Sequence, residues 1–303
     1  MQNLALAPEK AIGSSPEGLR AEAVDLQKKL LRILQCSPHK LTPRDLEIKT
    51  VRRWGVEKRQ VRAALHNLLV EGVLAYRYDF GRTLVELSFA KPVRISPRVI
   101  LKPPELFGSA GMVEAVVSLR PGDAFGSGRH PSTRLALRAL DCLLNRAGFN
   151  KSRATGRMLD VGTGSGVLSI AALQLGVATV DALDRDPVAR HEARENVKGN
   201  GLARRCTIAD RTLESIQDPY HVVTANLRYP TLHEICNDLA RLTNPQGVLV
   251  LSGLRTAEAL SLIRLYGQNA FALRWQADEK GWVGLGFRKL PDAASPSSAV
   301  GNS

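Results

Sequence analysis

The sequence predicts an α/β protein: a doubly wound parallel sheet preceded by a small helical domain with a β-hairpin. Three observations predict the sheet. From residue 158 onward, short apolar runs alternate with helical patterns, the arrangement of a parallel sheet covered on both faces. The stretch Met158-Leu159-Asp160-Val161-Gly162-Thr163-Gly164-Ser165-Gly166-Val167-Leu168-Ser169 reads as a buried strand, a tight glycine turn and a helix start. Gly162, Asp184, Asp210 and Asn226 all fall at predicted strand ends, where such sheets bind ligands. Together these make the fold Rossmann-like.

The 303 residues suggest two domains, and a hydrophobic content of 44% is ordinary for a globular core. No run of eighteen apolar residues exists, so no membrane span or membrane partner is expected. The first ten residues have no basic region followed by an apolar core, so no secretory signal is read and a cytoplasmic protein is expected. Cys36, Cys142, Cys206 and Cys236 lie far apart without ligand spacing, which favours packed thiols over disulfides or a metal site. The formal charge is +13, and residues 1–100 contribute +8 of it, with 18 Lys+Arg against 10 Asp+Glu. A basic front end favours an anionic partner such as nucleic acid or the ribosome, against the plainer reading of a solvated basic surface.

Residues 1–19 carry Gly, Ser and Pro and little periodicity, and read as a flexible leader. Val24, Leu26, Leu30, Leu31, Ile33 and Leu34 make a helical face over residues 21–35. Thr42-Pro43-Arg44-Asp45 is an N-cap with proline at the first helical position, and the helix it opens runs to Trp54 before Gly55. A third helix over residues 57–70 turns Val61, Leu65, Leu68 and Leu69 inward and Lys58, Arg59, Arg62 and His66 outward. Residues 73–78 and 83–87 read as strands joined at Asp79-Phe80-Gly81-Arg82. Three helices and a hairpin suggest a winged-helix-like domain over residues 20–90. Its third helix then serves nucleic acid, or the module only packs on protein.

A proline-punctuated segment, residues 89–105, holds the domain boundary near residue 90, and residues 113–119 read as a strand. Pro121-Gly122-Asp123-Ala124-Phe125-Gly126-Ser127-Gly128-Arg129-His130-Pro131-Ser132-Thr133 is too small and polar for core. It runs into a helix over residues 132–147, and its glycines let it lie flat over a ligand. His130 is read as holding this loop through its ring nitrogens rather than as a base.

Beyond the glycine turn the pattern gives a helix (167–176), a strand (180–184), a helix (187–198) and a strand (206–210). A strand over 221–225 then ends on Asn226, followed by a helix (231–241), a strand (248–252) and a helix (257–266). Residues 271–275 and 282–287 form a closing hairpin-like pair, and residues 291–303, rich in Ser, Ala and Pro, read as a disordered tail.

The turn Gly162-Thr163-Gly164-Ser165-Gly166 is tighter than the dinucleotide pattern and leaves no pyrophosphate-sized loop. Asp184, twenty-two residues after Gly162, suits a pair of ribose hydroxyls. A nucleoside without phosphates, S-adenosylmethionine (SAM) rather than NAD, is the ligand this spacing favours. The alternative is a turn serving strand-to-helix packing alone. Asp210 is read either as a partner of an adenine amino group or as a plain surface carboxylate.

Several motifs together resemble the PrmA-type ribosomal protein L11 methyltransferases over roughly residues 92–290. They are Pro121-Gly122-x-Ala124-Phe125-Gly126-x-Gly128-x-His130-Pro131-x-Thr133, Leu159 to Gly166, Ala182-Leu183-Asp184-x-Asp186-Pro187 and Ala225-Asn226-Leu227. Leu251-Ser252-Gly253 and the Trp282…Arg288-Lys289 ending fit as well. The resemblance implies a SAM-methyltransferase domain over residues 91–290, with SAM contacts at Thr133, Gly162, Asp184 and Asn226 and no metal. The turn adds Gly164 to the cofactor-binding set. Residues 20–90 do not resemble the small α+β module usual at the family's amino terminus. Asn226-Leu227-Arg228-Tyr229 stands where the family has a small-residue loop, and loosely resembles the Asn-Pro-Pro-Tyr signature of amide and amino-nitrogen methylating enzymes.

The expected activity is methyl transfer from SAM to an amino nitrogen, a lysine or N-terminal amine, of a ribosomal or translation-associated protein. Asn226 is the candidate catalytic residue, holding the acceptor nitrogen or the methionine end of SAM. One alternative is an RNA or DNA methyltransferase with the basic domain delivering nucleic acid. Another is a SAM-responsive transcription factor without catalysis.

Overall fold

The structure, a computed structural model, describes residues 16–291 apart from 38, 80, 105–113, 121 and 148–154. The expected leader over 1–15 and the tail over 292–303 lie outside the described residues. The chain divides into two compact units between Glu86 and Leu87.

The first unit opens with helix α1, Pro16–Cys36. This corrects the leader expectation for residues 16–19, which are helical. Leu26, Leu30, Ile33 and Leu34 are buried at helical spacing, so apolar periodicity sets this element although its first turn carries Pro and Gly. Helix α2, Pro43–Trp54, starts on a capping box: Thr42 Oγ1 accepts from the Asp45 N–H (3.1 Å) and Asp45 Oδ2 accepts from the Thr42 N–H (3.0 Å). Gly55, with φ +66°, ends it in the left-handed conformation. Thr42→Ala is expected to lower the stability of this unit by about 0.5–2 kcal/mol, seen as a lower denaturant midpoint of its transition. Helix α3, Lys58–Val70, buries Val61, Ala64, Leu65 and Leu68. Strands β1, Leu74–Asp79, and β2, Arg82–Leu87, form a two-stranded sheet, and Leu41 adds an antiparallel bridge to Val85.

The second unit begins with a three-stranded sheet of β3, Val93–Ser96, β4, Val99–Lys102, and β5, Ala115–Ser118. The expected strand over 113–119 is thus shorter, and residue 113 lies outside the described residues. Helix α4, Pro131–Arg146, follows, then β6, Thr155–Val161, α5, Val167–Leu175, β7, Val177–Leu183, α6, Pro187–Gly199, and β8, Cys206–Ala209. β9, Tyr220–Asn226, leads to two short helices, α7, Tyr229–Glu234, and α8, Cys236–Arg241. They replace the single helix expected over 231–241, because Ile235 breaks the helix at φ −85°, ψ 9°. β10, Thr243–Arg255, is longer than expected, since Thr243 already pairs with Tyr220 before a register shift and the pairing that resumes at Val248 with Val222. α9, Ala259–Gln268, β11, Phe271–Glu279, and β12, Trp282–Lys289, complete the chain.

The large sheet has the order β11-β12-β10-β9-β6-β7-β8. β8, β7, β6, β9 and β10 run parallel, and β12 is antiparallel to both its neighbours. Neighbouring residues go to opposite faces, as strand periodicity requires. Met158, Val222, Val248 and Val250 join the core under α4, α5 and the small sheet. Leu159, Val223, Leu249 and Leu251 join the core under α7, α8 and α9. Both faces are therefore covered, which explains the near-continuous apolar runs of the central strands. The chain steps from β6 to β7 and β8 on one side, then returns to β9 on the other. The switch point lies between β6 and β9, at their carboxyl ends. No described helix is long and apolar enough to cross a membrane.

Candidate active site at the switch point

Val161 pairs with Leu183 on one side and with Ala225 on the other. The residues that follow these three, Gly162, Asp184 and Asn226, thus lie side by side at the ends of adjacent strands. With strands spaced about 4.8 Å apart, Asp184 and Asn226 flank the glycine turn from its two sides. The turn is fixed by backbone bonds from the Gly162 and Thr163 N–H groups to the Leu183 carbonyl (2.8 and 2.9 Å).

Gly162, Gly164 and Gly166 all have positive φ, at +72°, +55° and +81°. The close approach that two of them permit is to protein. A Cβ on Gly162 would lie 2.6 Å from the Leu227 side chain, and one on Gly164 would lie 2.3 Å from the Phe125 carbonyl oxygen. The turn therefore seats two protein segments that border the site, the loop before α4 and the backbone after Asn226. Gly253 does the same from β10: at φ +91°, a Cβ there would lie 2.3 Å from the Leu227 carbonyl oxygen.

Asp184 is half-buried, and each carboxylate oxygen accepts one backbone N–H: Oδ2 from Gly164 (2.9 Å) and Oδ1 from Asp186 (3.0 Å). Each oxygen keeps a lone-pair direction for a second donor. Asn226 Oδ1 and Thr133 Oγ1 are buried without a hydrogen-bond partner among the described residues, and so is Ser165 Oγ. Buried polar atoms are nearly always satisfied, so an unpaired one marks a place where a partner belongs. Two of these three atoms belong to residues singled out from the sequence.

The loop before α4 lies over the turn. Its Phe125 carbonyl accepts from the Ser165 N–H (2.8 Å). Glu192 of α6 anchors its start: Oε1 accepts from the Asp123 N–H (2.8 Å) and Oε2 from the Ala124 N–H (3.0 Å). Arg134 of α4 anchors its end, with Nη1 donating to the Gly128 and Arg129 carbonyls (2.8 and 2.6 Å). Arg134 is itself paired, buried, with Glu279 of β11, which also meets Arg138 at 3.2 Å. His130 caps α4, its Nδ1 accepting from the Ser132 N–H (3.2 Å), and its ring meets Phe125 and Trp282 at 5.1 and 4.4 Å between centroids. These contacts agree with the positional role read for His130. Glu192→Ala is expected to speed amide exchange at Asp123 and Ala124 while the central strands keep their protection, as measured by hydrogen exchange.

Asp210 pairs with Arg190 at 3.1 Å and its side chain is 57% exposed, which favours the surface reading over a buried adenine contact. Arg190 also donates to the Asp184 carbonyl (2.9 Å), so it steadies the end of β7.

Sequence reasoning gave no role to Asp160. It is fully buried and accepts from three hydroxyls: Thr224 (2.6 Å), Ser169 (2.7 Å) and Thr163 (2.8 Å). One carboxylate thereby joins β6, β9, the glycine turn and α5. Burial raises its pKa, the three hydroxyl bonds oppose that, and the nearby Asp184 charge adds to the rise. An acid inside the apolar run Met158-Leu159-Asp160-Val161 was the available signal. The role of Glu192 had none, because its partners lie 68 and 69 residues away.

Residues 86–290 match the model of the family described as ribosomal protein L11 methyltransferase (PrmA). A protein of that description from Geotalea uraniireducens is 37% identical over 205 residues, covering 66% of this chain and 65% of that protein. One from Xylella fastidiosa is 40% identical over 175 residues, covering 58% of this chain and 55% of that protein. The matched regions thus span 65% and 55% of the length of these two relatives. The crystal structure of a ribosomal protein L11 methylase from Lactobacillus delbrueckii subsp. bulgaricus superposes with a TM-score of 0.57 at 26% identity, covering 66% of this chain and 99% of that one.

Proposed function

Because the chain belongs to the ribosomal protein L11 methyltransferase (PrmA) family, we propose that its second unit transfers the methyl group of SAM to an amino nitrogen of a ribosomal protein, a lysine or N-terminal amine. The observation that carries this reading is the pair of unpartnered buried oxygens, Thr133 Oγ1 and Asn226 Oδ1, on the elements that border the glycine turn and Asp184. A polar, phosphate-free ligand fits that donor and acceptor set. Asp184 at the rim of the turn disfavours anions such as a pyrophosphate.

When bound, SAM supplies a methyl group already activated by its sulfonium. The chain's own residues then have three tasks. Asp184 holds the ribose hydroxyls on the open lone pairs of its two oxygens, while its bonds to Gly164 and Asp186 fix their direction. Thr133 and the loop pinned by Glu192 and Arg134 cover the ligand and exclude water. Asn226 Oδ1 accepts from the acceptor amine or the methionine end, and so orients the nucleophile toward the methyl. An amine acceptor must arrive neutral. Desolvation under the covering loop lowers its proton affinity, and the exposed Arg228, two residues past Asn226, adds a like charge.

We read residues 20–90 as a winged-helix-like domain and 91–290 as the methyltransferase domain. The bridge from Leu41 to the hairpin supports the first assignment. The basic balance of the amino-terminal residues supports an anionic partner, nucleic acid, beside the protein substrate. The test is incubation with radiolabelled SAM and a whole-cell lysate, with and without nuclease. Label in a ribosomal protein that survives nuclease is expected. Label that vanishes with nuclease supports nucleic-acid methylation instead. SAM binding without transfer to any acceptor supports a SAM-responsive regulator.

A further inference from the structure

We propose that the amino-terminal unit binds an extended single strand of RNA along the groove between α2, α3 and β1, with bases stacked on Tyr76 and Tyr78. The choice of RNA rests on the reading of the substrate as a ribosomal protein; the surface itself rests on the geometry that follows.

The groove encloses about 630 Å³ and is lined by Arg44, Ile48, Lys58, Arg62, His66 and Tyr76, among others. Its cations come from the start of α2 and from one face of α3, and the α3 sequence contains no Asp or Glu. Among the described residues the one carboxylate in the lining, Glu47, is only 12% exposed and is already engaged by Arg62, with Nε at 2.5 Å and Nη2 at 3.3 Å. Arg44 and Lys58 remain exposed beside it. The groove thus presents net positive charge to an anionic chain.

The aromatic part distinguishes a single strand from a duplex. Tyr76 and Tyr78 are 55% and 76% exposed and lie on one face of β1, two residues apart. Strand geometry sets them about 7 Å apart, room for separate bases of an extended chain. Base-on-aromatic stacking needs unpaired bases with open faces, and duplexes hide those faces. A helix that reads duplex DNA instead needs free side chains to reach base edges. The central guanidinium of α3, Arg62, is turned onto Glu47 in a two-bond pair. Cations that track a backbone, next to rings that accept any base, describe a strand-binding groove.

The test is fluorescence anisotropy of a short labelled single-stranded RNA titrated with the full chain, across a salt series, against a DNA duplex of matched length. Binding that weakens with salt and exceeds duplex binding at least tenfold is expected. Tyr78→Ala and Tyr76→Ala should each weaken binding by about fivefold or more and leave the salt slope unchanged. The double variant Arg44→Ala, Lys58→Ala should reduce that slope by about 1.4. All of these variants should methylate the isolated ribosomal protein as the unaltered chain does. No RNA binding, equal or tighter duplex binding, or tyrosine variants that bind like the parent would overturn the proposal. Methyl transfer without RNA binding sinks this inference alone. RNA binding without methyl transfer keeps the surface and sinks the functional reading beneath it.

Discussion

Asp184→Ala is expected to abolish SAM binding in a protein that still folds. Hydrogen bonds to a charged acceptor contribute about 1.5–3 kcal/mol each, so two lost ribose hydroxyl contacts amount to about 3–6 kcal/mol, a factor of roughly 10² to 10⁴ in affinity. The side chain also accepts from Gly164 and Asp186, so the variant loosens the glycine turn as well. Asp184→Asn separates the two effects. Its amide oxygen keeps one acceptor for the turn and loses the charge, and it should retain a measurable but weakened affinity. Calorimetry with SAM, together with thermal melts of each variant, makes the comparison. An Asp184→Ala protein that melts normally and binds SAM with unchanged affinity would reject the role given to this residue.

The largest loss of stability is expected from Asp160→Ala. It leaves the hydroxyls of Thr163, Ser169 and Thr224 without their acceptor at the point where strand, turn and helix meet. Leaving a buried hydroxyl without its partner costs about 1–3 kcal/mol, so losing the acceptor shared by three of them removes a large part of a typical domain's margin. The pH dependence follows from the direction of the shift. The folded pKa of Asp160 is raised by burial above its unfolded value. The folded state therefore binds more protons than the unfolded state between the two values, and stability falls as pH rises through that window. Below the unfolded pKa the contribution is fully present. Asp160→Asn removes this titration, so denaturant midpoints measured from pH 4 upward should fall less steeply than in the unaltered chain. Identical slopes would contradict the assignment.

Much of this molecule is legible in its sequence because local chemistry and burial agree. The N-cap at Thr42, the helix end at Gly55 and the strand–turn–helix around Gly162 are short-range features, and they appear where their residues demand. Asp184 and Asn226 were legible as strand-end residues because parallel strands end in register. The less legible parts depend on contacts far apart in sequence. Glu192 reads as one more charge on an amphipathic helix until α6 is placed beside the loop at Asp123. Arg134 and Glu279 form a buried pair across 145 residues, which no pattern on either helix or strand announces. Gly253 looks like a strand breaker, and its reason is the Leu227 backbone pressed against β10. The start of α1 reads as loop in the sequence because of Pro16 and Gly18, whereas proline is well tolerated in a first helical turn.

The central claim is that a phosphate-free nucleoside sits over the glycine turn with its ribose on Asp184. A crystal of the full chain soaked with S-adenosylhomocysteine tests it most directly. The account predicts ribose hydroxyls within hydrogen-bond distance of both Asp184 oxygens, with Thr133 Oγ1 and Asn226 Oδ1 newly paired. Ligand density elsewhere on the sheet, or at this turn with those two oxygens still unpaired, would contradict it.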